Sequence, residues 1–292
     1  MNSLYNSDLP LHLCKGEELG YDIHLYCHYA ESKLGIKPRF VHPADLRLAE
    51  SPQSPRGYKL YCLSKEDGAH TVTNEAGEKL EEIHQIGLEL KQRELLAMSF
   101  EMLIQVSMRC FNDVRTILLV HDKRMLGIIL QEIDALVARK TLTPAQATLL
   151  DRGFVPTIIP GSPQLDTFLI QSRELPSIKD RYMLKPVRSG KGAGFLFGDE
   201  LSQDEWISKL ERMRAQPRFS ADATTYAVQR RIEHNLYEVL LHEKEGVQKL
   251  PFVGTFHMMH GRLLGLGLWR SSSGRICALS RGGAWILSVR RS

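Results

Sequence analysis

No apolar run in the 292-residue chain approaches the ~20 residues that a membrane-crossing helix needs. Cysteine is scarce: five residues, at 14, 27, 62, 110 and 277, with no CxxC pair and no metal-ligand spacing. An odd, scattered set excludes a disulfide framework and predicts reduced, structural thiols in a reducing compartment. The first 20 residues carry Asp8, Glu17 and Glu18 and no apolar core, so no signal peptide is expected. Neither sign of charge dominates: 38 basic and 34 acidic residues leave a formal net charge of +4. That is too mild for a nucleic-acid partner, which shows as a concentrated basic stripe. The terminal SVRRS is basic but too short to form a patch. There is no internal repeat and no low-complexity segment. The expectation is a cytoplasmic protein with no membrane or nucleic-acid partner.

What is present is globular. Hydrophobic residues make up 43 % and charged residues 25 % of the chain, ordinary values for packed domains, and the length suits two modest domains. CHYAESKLG reads as a helix ending at Gly35. RFVHPADLRL and YKLYCLS read as strands around the loop AESPQSPRG. From Glu78 to about Arg109 apolar residues return at three- and four-residue steps, which predicts helix. RTILLVH (115–121) reads as a buried strand of the parallel type, followed by the helix KRMLGIILQEIDALVARK. TLTPAQATLLDRGF then reads as a helix and VPTIIPGSP as a strand. Beyond residue 180 strands dominate: YMLKPV, GFLFGD, YAVQRRI, YEVLLHE, KLPFVGTFHMM, RLLGLGLWR and AWILSV. One helix, SQDEWISKLERMR, interrupts them, with Ser202 and Glu205 spaced as a capping box.

The stretch YMLKPVRSGKGAGFLFGDEL concentrates the chemistry. Lys185 ends a strand, and Gly190, Gly192 and Gly194 alternate in the loop that follows. Glycines there let backbone N–H groups approach an anion without Cβ atoms in the way, and the lysine adds a point charge. No Lys-Ser/Thr pair opens a following helix, so this is not a Walker motif. A plain hairpin tip is the competing reading of the same residues. Asp122 and Lys123 stand after RTILLVH, where ligands of βαβ units collect. AVQRRIEHNLYEVLLHE follows the loop and its helix.

In this order (DK before a helix, VPTIIPGS, LKPVRSGKGAG, then a glutamine-containing strand and paired strands) the chain resembles the ATP-grasp superfamily, of the carboxylate–amine ligase type and distantly like glutathione synthetases. The resemblance covers residues 115 to about 289. It implies an α/β (α+β) fold: a small Rossmann-like pre-ATP-grasp segment over 1–114, a first ATP-grasp lobe over 115–179 and a second over 180–292, enclosing ATP. It implies that Lys123 and Lys185 hold phosphates, that Ser189, Gly190, Gly192 and Gly194 form the loop over them, and that Gln229 to Ile232 present backbone groups to adenine. The implied cofactors are ATP and Mg²⁺. The implied substrates are a small carboxylic acid and an amine or thiol, joined through an acyl phosphate, and a homodimer is compatible with it. Arg270, at a strand end, is the candidate for binding a carboxylate or the tetrahedral intermediate, because guanidinium binds carboxylate bidentately.

The chain departs from the family pattern in one respect. No Asp, Glu or Asn follows Val253, where the family places metal carboxylates. Glu238, Glu243 and Glu245 lie earlier, and only His257, His260, Ser271 and Ser273 offer donors nearby. Imidazole is a poor Mg²⁺ ligand, and alternation on a strand puts His257 and His260 on opposite faces. The metal ligands are therefore unassigned, and a non-catalytic nucleotide-binding protein or shortened domain is the alternative.

Overall fold

The computed structural model describes residues 6, 8–17, 20–64, 71–111, 114, 116–217, 224–259 and 262–286. The chain divides into two compact units, Met1–His121 and Asp122–Ser292.

The first unit begins with β1 (His12–Lys15), α1 (Tyr21–Leu34) and β2 (Arg39–Val41). Gly35 ends α1 with φ 67° and sends its backbone N–H back to the helix carbonyls, the left-handed stop that glycine adopts without a Cβ penalty. Then follow β3 (Leu46–Glu50), β4 (Tyr58–Leu63), β5 (Thr71–Thr73), β6 (Lys79–Glu82) and β7 (Ile86–Glu89). The unit closes with α2 (Gln92–Leu96) and α3 (Phe100–Arg109). Strands β2, β1 and β7 form a parallel sheet in that order, and β3, β4, β6 and β5 an antiparallel one. Leu60, Ile83, Ile86, Leu95 and Val106 are among the buried residues of their common core.

Two expectations fail here. The helix expected from Glu78 is two strands before it becomes helix. Ile86 and Leu88 are buried and sit in register on β1, and Gly87 lets the Phe111 ring lie where a Cβ would come within 2.4 Å. Sheet pairing overrides a local pattern that fits either period. RTILLVH is not a buried strand either. Thr116–Val120 form a π-helical turn in which Leu118 packs on the first core while Leu119 and Val120 are 55 % and 68 % exposed. Helical geometry buries one side of a short apolar run, where a central strand would bury both.

The second unit starts with α4 (Arg124–Ala138), α5 (Pro144–Gly153), β8 (Thr157–Ile158) and α6 (Pro163–Glu174). It continues with β9 (Tyr182–Pro186), β10 (Leu196–Phe197), α7 (Gln203–Ala215) and β11 (Tyr226–Arg230). The strands β12 (Leu236–Val239), β13 (Gln248–Met259), β14 (Arg262–Ser271) and β15 (Ala284–Ile286) complete it. They make two antiparallel sheets, ordered β10-β9-β11-β8 and β12-β13-β14-β15. The 179/180 position falls inside the first of these sheets, since β8 pairs with β11. The α/β class read from the sequence is the observed one.

One face of the first sheet is sealed. Leu184 of β9 and Val228 of β11 lie opposite each other and pack with Leu165, Phe168 and Leu169 of α6 and Trp206, Leu210 and Met213 of α7. The Trp206 Nε1–H donates to Ser172 Oγ at 3.3 Å, so the largest buried ring keeps its polar atom satisfied. Helix α7 opens on the expected capping box: Ser202 Oγ accepts from the Glu205 N–H at 3.2 Å, and Glu205 accepts from the Ser202 N–H at 2.9 Å. Ser202→Ala should cost about 1 kcal/mol and Leu184→Ala about 2–5 kcal/mol. Urea unfolding of the two variants checks that order, and an equal loss from both would contradict it.

Candidate functional site

Alternation along a strand sends the residues beside Leu184 and Val228 to the opposite face. On that face lie Met183 and Lys185 of β9, Ala227 and Gln229 of β11, and Thr157 of β8, as their register requires. Gln229 is buried and its Nε2 donates to Thr157 Oγ1 at 2.7 Å. That bond ties the two-residue strand β8 to the sheet. Gly127 of α4 lies so close to Thr157 that a Cβ would come within 2.7 Å of its carbonyl oxygen, which brings the start of α4 alongside the same sheet.

Lys123 precedes α4. Its backbone N–H donates to the Val187 oxygen at 3.0 Å. Its ammonium donates to the Pro186 oxygen at 3.0 Å and to the Ser189 oxygen. The expected pair is therefore brought together: Lys123 seats itself on the segment that leads from Lys185 into the glycine loop. Burial holds the Lys123 pKa below its usual value, and the charge on Lys185 lowers it further, against a smaller opposing effect of Asp122. Burial also lowers Lys185, whose ammonium lies 5.1 Å from the centre of the Phe195 ring. Among the described residues no carboxylate is bonded to either ammonium. Two partly desolvated cations held together without an anion store repulsion that a bound polyanion relieves.

The loop itself has the shape for one. Lys191, Gly192 and Gly194 have φ of 55°, 72° and 71°, and such left-handed residues turn successive N–H groups inward in anion-binding concavities. Ser189 Oγ donates to the Ala193 oxygen at 3.1 Å, and the Ala193 N–H donates to the Gly190 oxygen at 3.0 Å. The hairpin-tip reading does not account for the lysine pair. Gly192 packs against Ile276, whose Cγ2 lies 2.5 Å from where a Cβ would stand. The neighbouring Arg275 anchors this contact. It donates to Glu200 at 2.5 Å and to Asp199 at 2.7 and 3.0 Å, and it stacks 4.1 Å from the Phe197 ring centre. Sequence reasoning missed Arg275 and Ile276, because nothing in their spacing links them to the glycine loop.

Asp122 is 5 % exposed and accepts from Arg124 at 2.6 and 2.9 Å and from Arg188 at 3.1 Å. Burial raises its pKa, but the arginine hydrogen bonds outweigh it and hold the carboxyl below its usual value. Both oxygens are committed to guanidinium groups, which leaves Asp122 no vacancy for a cation. Glu238, Glu243 and Glu245 are exposed, and among the described residues they join no cluster of three metal-ligating groups. Ser271 Oγ donates to the Pro251 oxygen, Ser272 Oγ accepts from the Gly274 N–H, and His260 lies outside the described residues. The described donors fit a polyphosphate and do not fit Mg²⁺.

Arg270 lies on β14 opposite Val253 and Trp285. Its Nε is buried and has no hydrogen-bond partner among the described residues, an orphaned donor of the kind that an anionic ligand satisfies. At Val228 and Gln229 the backbone of β11 pairs with a strand on each side, and the Arg231 N–H donates to the Arg181 oxygen. Ile232 is 54 % exposed, and residues 232–235 form neither helix nor strand.

A family model described as the AnkG N-terminal domain matches residues 1–119. The ATP-grasp enzyme ankG of Aspergillus thermomutatus is 40 % identical over 286 residues, which is 96 % of this chain and 59 % of that protein. The chain thus spans about three-fifths of the length of the curated relative that it matches. The name of this relative bears out the resemblance to the ATP-grasp superfamily read from the residues. Among solved structures, the macrocyclase MdnC bound with precursor peptide MdnA, from Microcystis aeruginosa MRC, aligns with a TM-score of 0.41 at 10 % identity, over 97 % of this chain and 79 % of that one. No helix among the described residues is long and apolar enough to cross a membrane.

Both lysines have folded pKa values below those of the unfolded chain. The unfolded state then binds more protons between the two values, so the pair lowers stability at neutral pH, and that loss is relieved as pH rises through the folded values. Lys185→Met should therefore leave the melting temperature of the free protein unchanged or raise it, while abolishing stabilisation by ATP. A thermal-shift series at pH 7 and above checks this, and a destabilised free variant would contradict it.

Proposed function

The chain is an ATP-grasp relative along 96 % of its length, and on that premise we propose that it takes part in an ATP-dependent ligation that joins a small carboxylic acid to an amine or thiol. The observation that carries this reading is the lysine pair: Lys123 and Lys185, partly desolvated, beside a loop with three left-handed residues. ATP would supply a phosphoryl group that converts a carboxylate, a poor electrophile, into an acyl phosphate. Lys123 and Lys185 would neutralise phosphate charge, and the N–H groups of the 189–194 loop, apart from that of Ala193, would hold the phosphate oxygens. Such groups cost no reorganisation at the moment of reaction, because the fold already orients them. The Arg270 guanidinium would hold the carboxylate substrate. Ile276 and the Arg275 anchor would keep water from the loop and so protect a hydrolysable intermediate. Gln229 would brace β8, and the backbone from Ile232 onward would be the part open to adenine.

A second reading has its own observation. The acidic group that acts on Lys123, Asp122, is bonded to two arginines, and Glu238 faces solvent. A nucleotide-binding protein without turnover needs no metal carboxylates, and these residues suit it.

Calorimetry with ATP, with and without Mg²⁺, separates the two. Binding that is lost in Lys185→Ala, followed by ADP release with an acid and an amine, is the outcome expected of the ligase. Binding indifferent to Mg²⁺ and without ADP release would favour the second reading. No ATP binding at all would overturn both.

A further inference from the structure

The first unit holds a second cluster of reactive side chains, unrelated to the lysine pair. Cys62 of β4 and Glu81 of β6 stand directly opposite each other on their antiparallel pair, so both side chains leave the same face of that sheet. His12 comes from β1, in the parallel sheet. A His12 ring nitrogen, the Cys62 sulfur and a Glu81 carboxylate oxygen all lie within 4.8 Å of one another, and all three residues are buried. His12 is 0 % exposed, yet neither ring nitrogen has a hydrogen-bond partner among the described residues. Its Nε2 lies 3.7 Å from Glu81 Oε2, too far for a hydrogen bond. Arg39 takes the other carboxylate oxygen, Oε1, and leaves Oε2 facing the imidazole.

An imidazole buried with both nitrogens unsatisfied forfeits its hydration without recovering a bond. Burial accordingly lowers the His12 pKa, which leaves it a neutral, lone-pair donor. Burial likewise pushes the Cys62 thiol up to about 12, so the sulfur is protonated unless a cation replaces that proton. One neutral nitrogen, one sulfur and one carboxylate oxygen are the donor set of a borderline-soft divalent ion, and a poor one for Mg²⁺ or Ca²⁺.

We propose that His12, Cys62 and Glu81 form a binding site for one transition-metal ion of the Zn²⁺ class, which clamps the parallel and antiparallel sheets of the first unit together. On binding, the Cys62 S–H proton leaves to solvent, and the thiolate, with the carboxylate that Glu81 shares with Arg39, offsets part of the ion's charge. With three protein ligands, and the second Glu81 oxygen held by Arg39, the fourth position falls to water. The site joins two sheets of one unit, so its role is structural, and occupancy adds to folding stability by linkage.

Cobalt is the direct probe, because a thiolate–cobalt bond gives a near-ultraviolet charge-transfer band beside visible d–d absorption. The chelator-treated full chain, without nucleotide, should take up one equivalent of Co²⁺ with that band and release one proton per ion. Zn²⁺ should displace the cobalt and raise the melting temperature. Cys62→Ser should lose the band, whereas Cys27→Ser and Cys277→Ser keep it. His12→Gln and Glu81→Gln should each weaken Co²⁺ binding by more than the ~10–100-fold that an outer-shell partner is worth. Proton release is read on the unaltered protein, so a variant that misfolds does not protect the proposal. Absence of stoichiometric uptake, uptake without proton release, or a charge-transfer band that survives Cys62→Ser overturns it.

Discussion

Two ammonium groups close together in a partly dry site are the constraint on which the second unit turns. Alone, the pair is unfavourable, because each cation loses hydration and repels the other. The surrounding structure holds it anyway. Lys123 is fixed by the start of α4 and by carbonyls of the segment after β9, and Lys185 by β9 itself, whose opposite face is locked into the α6–α7 core through Leu184. That hydrophobic face fixes the backbone of β9 from which Lys185 projects. A site assembled under such strain suits a polyanion, and the binding proposed above would recover the stability given up in the free protein.

The acidic residues around the site have a different part. Asp122 binds Arg124 and Arg188, and Asp199 with Glu200 binds Arg275. These carboxylates fasten arginines that frame the glycine loop and its neighbour segment at Ile276, instead of neutralising the lysines. The positive character of the cluster is thereby preserved. Had any of these three carboxylates turned to a lysine, the cluster would be partly self-neutralised and would have less to offer a phosphate.

Much of this was legible in the sequence where local chemistry decides. The capping box at Ser202 and Glu205, the glycine stop at Gly35 and the strand–glycine–strand order from 182 to 197 depend on neighbours in the chain, and the residues carry the signal themselves. Lys123 and Lys185 could be paired only through the resemblance to a family, since their proximity comes from a fold and not from spacing. The misread segments are those where two periods fit the same residues. Residues 78–89 satisfy a helical stripe and a strand alternation alike, and register on β1 and β4 decides. RTILLVH looks like a central strand until the absence of strand partners leaves Leu119 and Val120 in solvent. Arg275, Ile276 and the trio of His12, Cys62 and Glu81 were invisible, because each contact joins residues far apart in the chain.

Hydrogen–deuterium exchange with a non-hydrolysable ATP analogue tests the lysine–glycine clamp most directly, since it reads the backbone amides said to hold the phosphates. The account predicts slowed exchange concentrated at residues 187–195 and at the start of α4, with the first unit's parallel sheet unchanged. Binding of the analogue with no protection in 187–195 would contradict it.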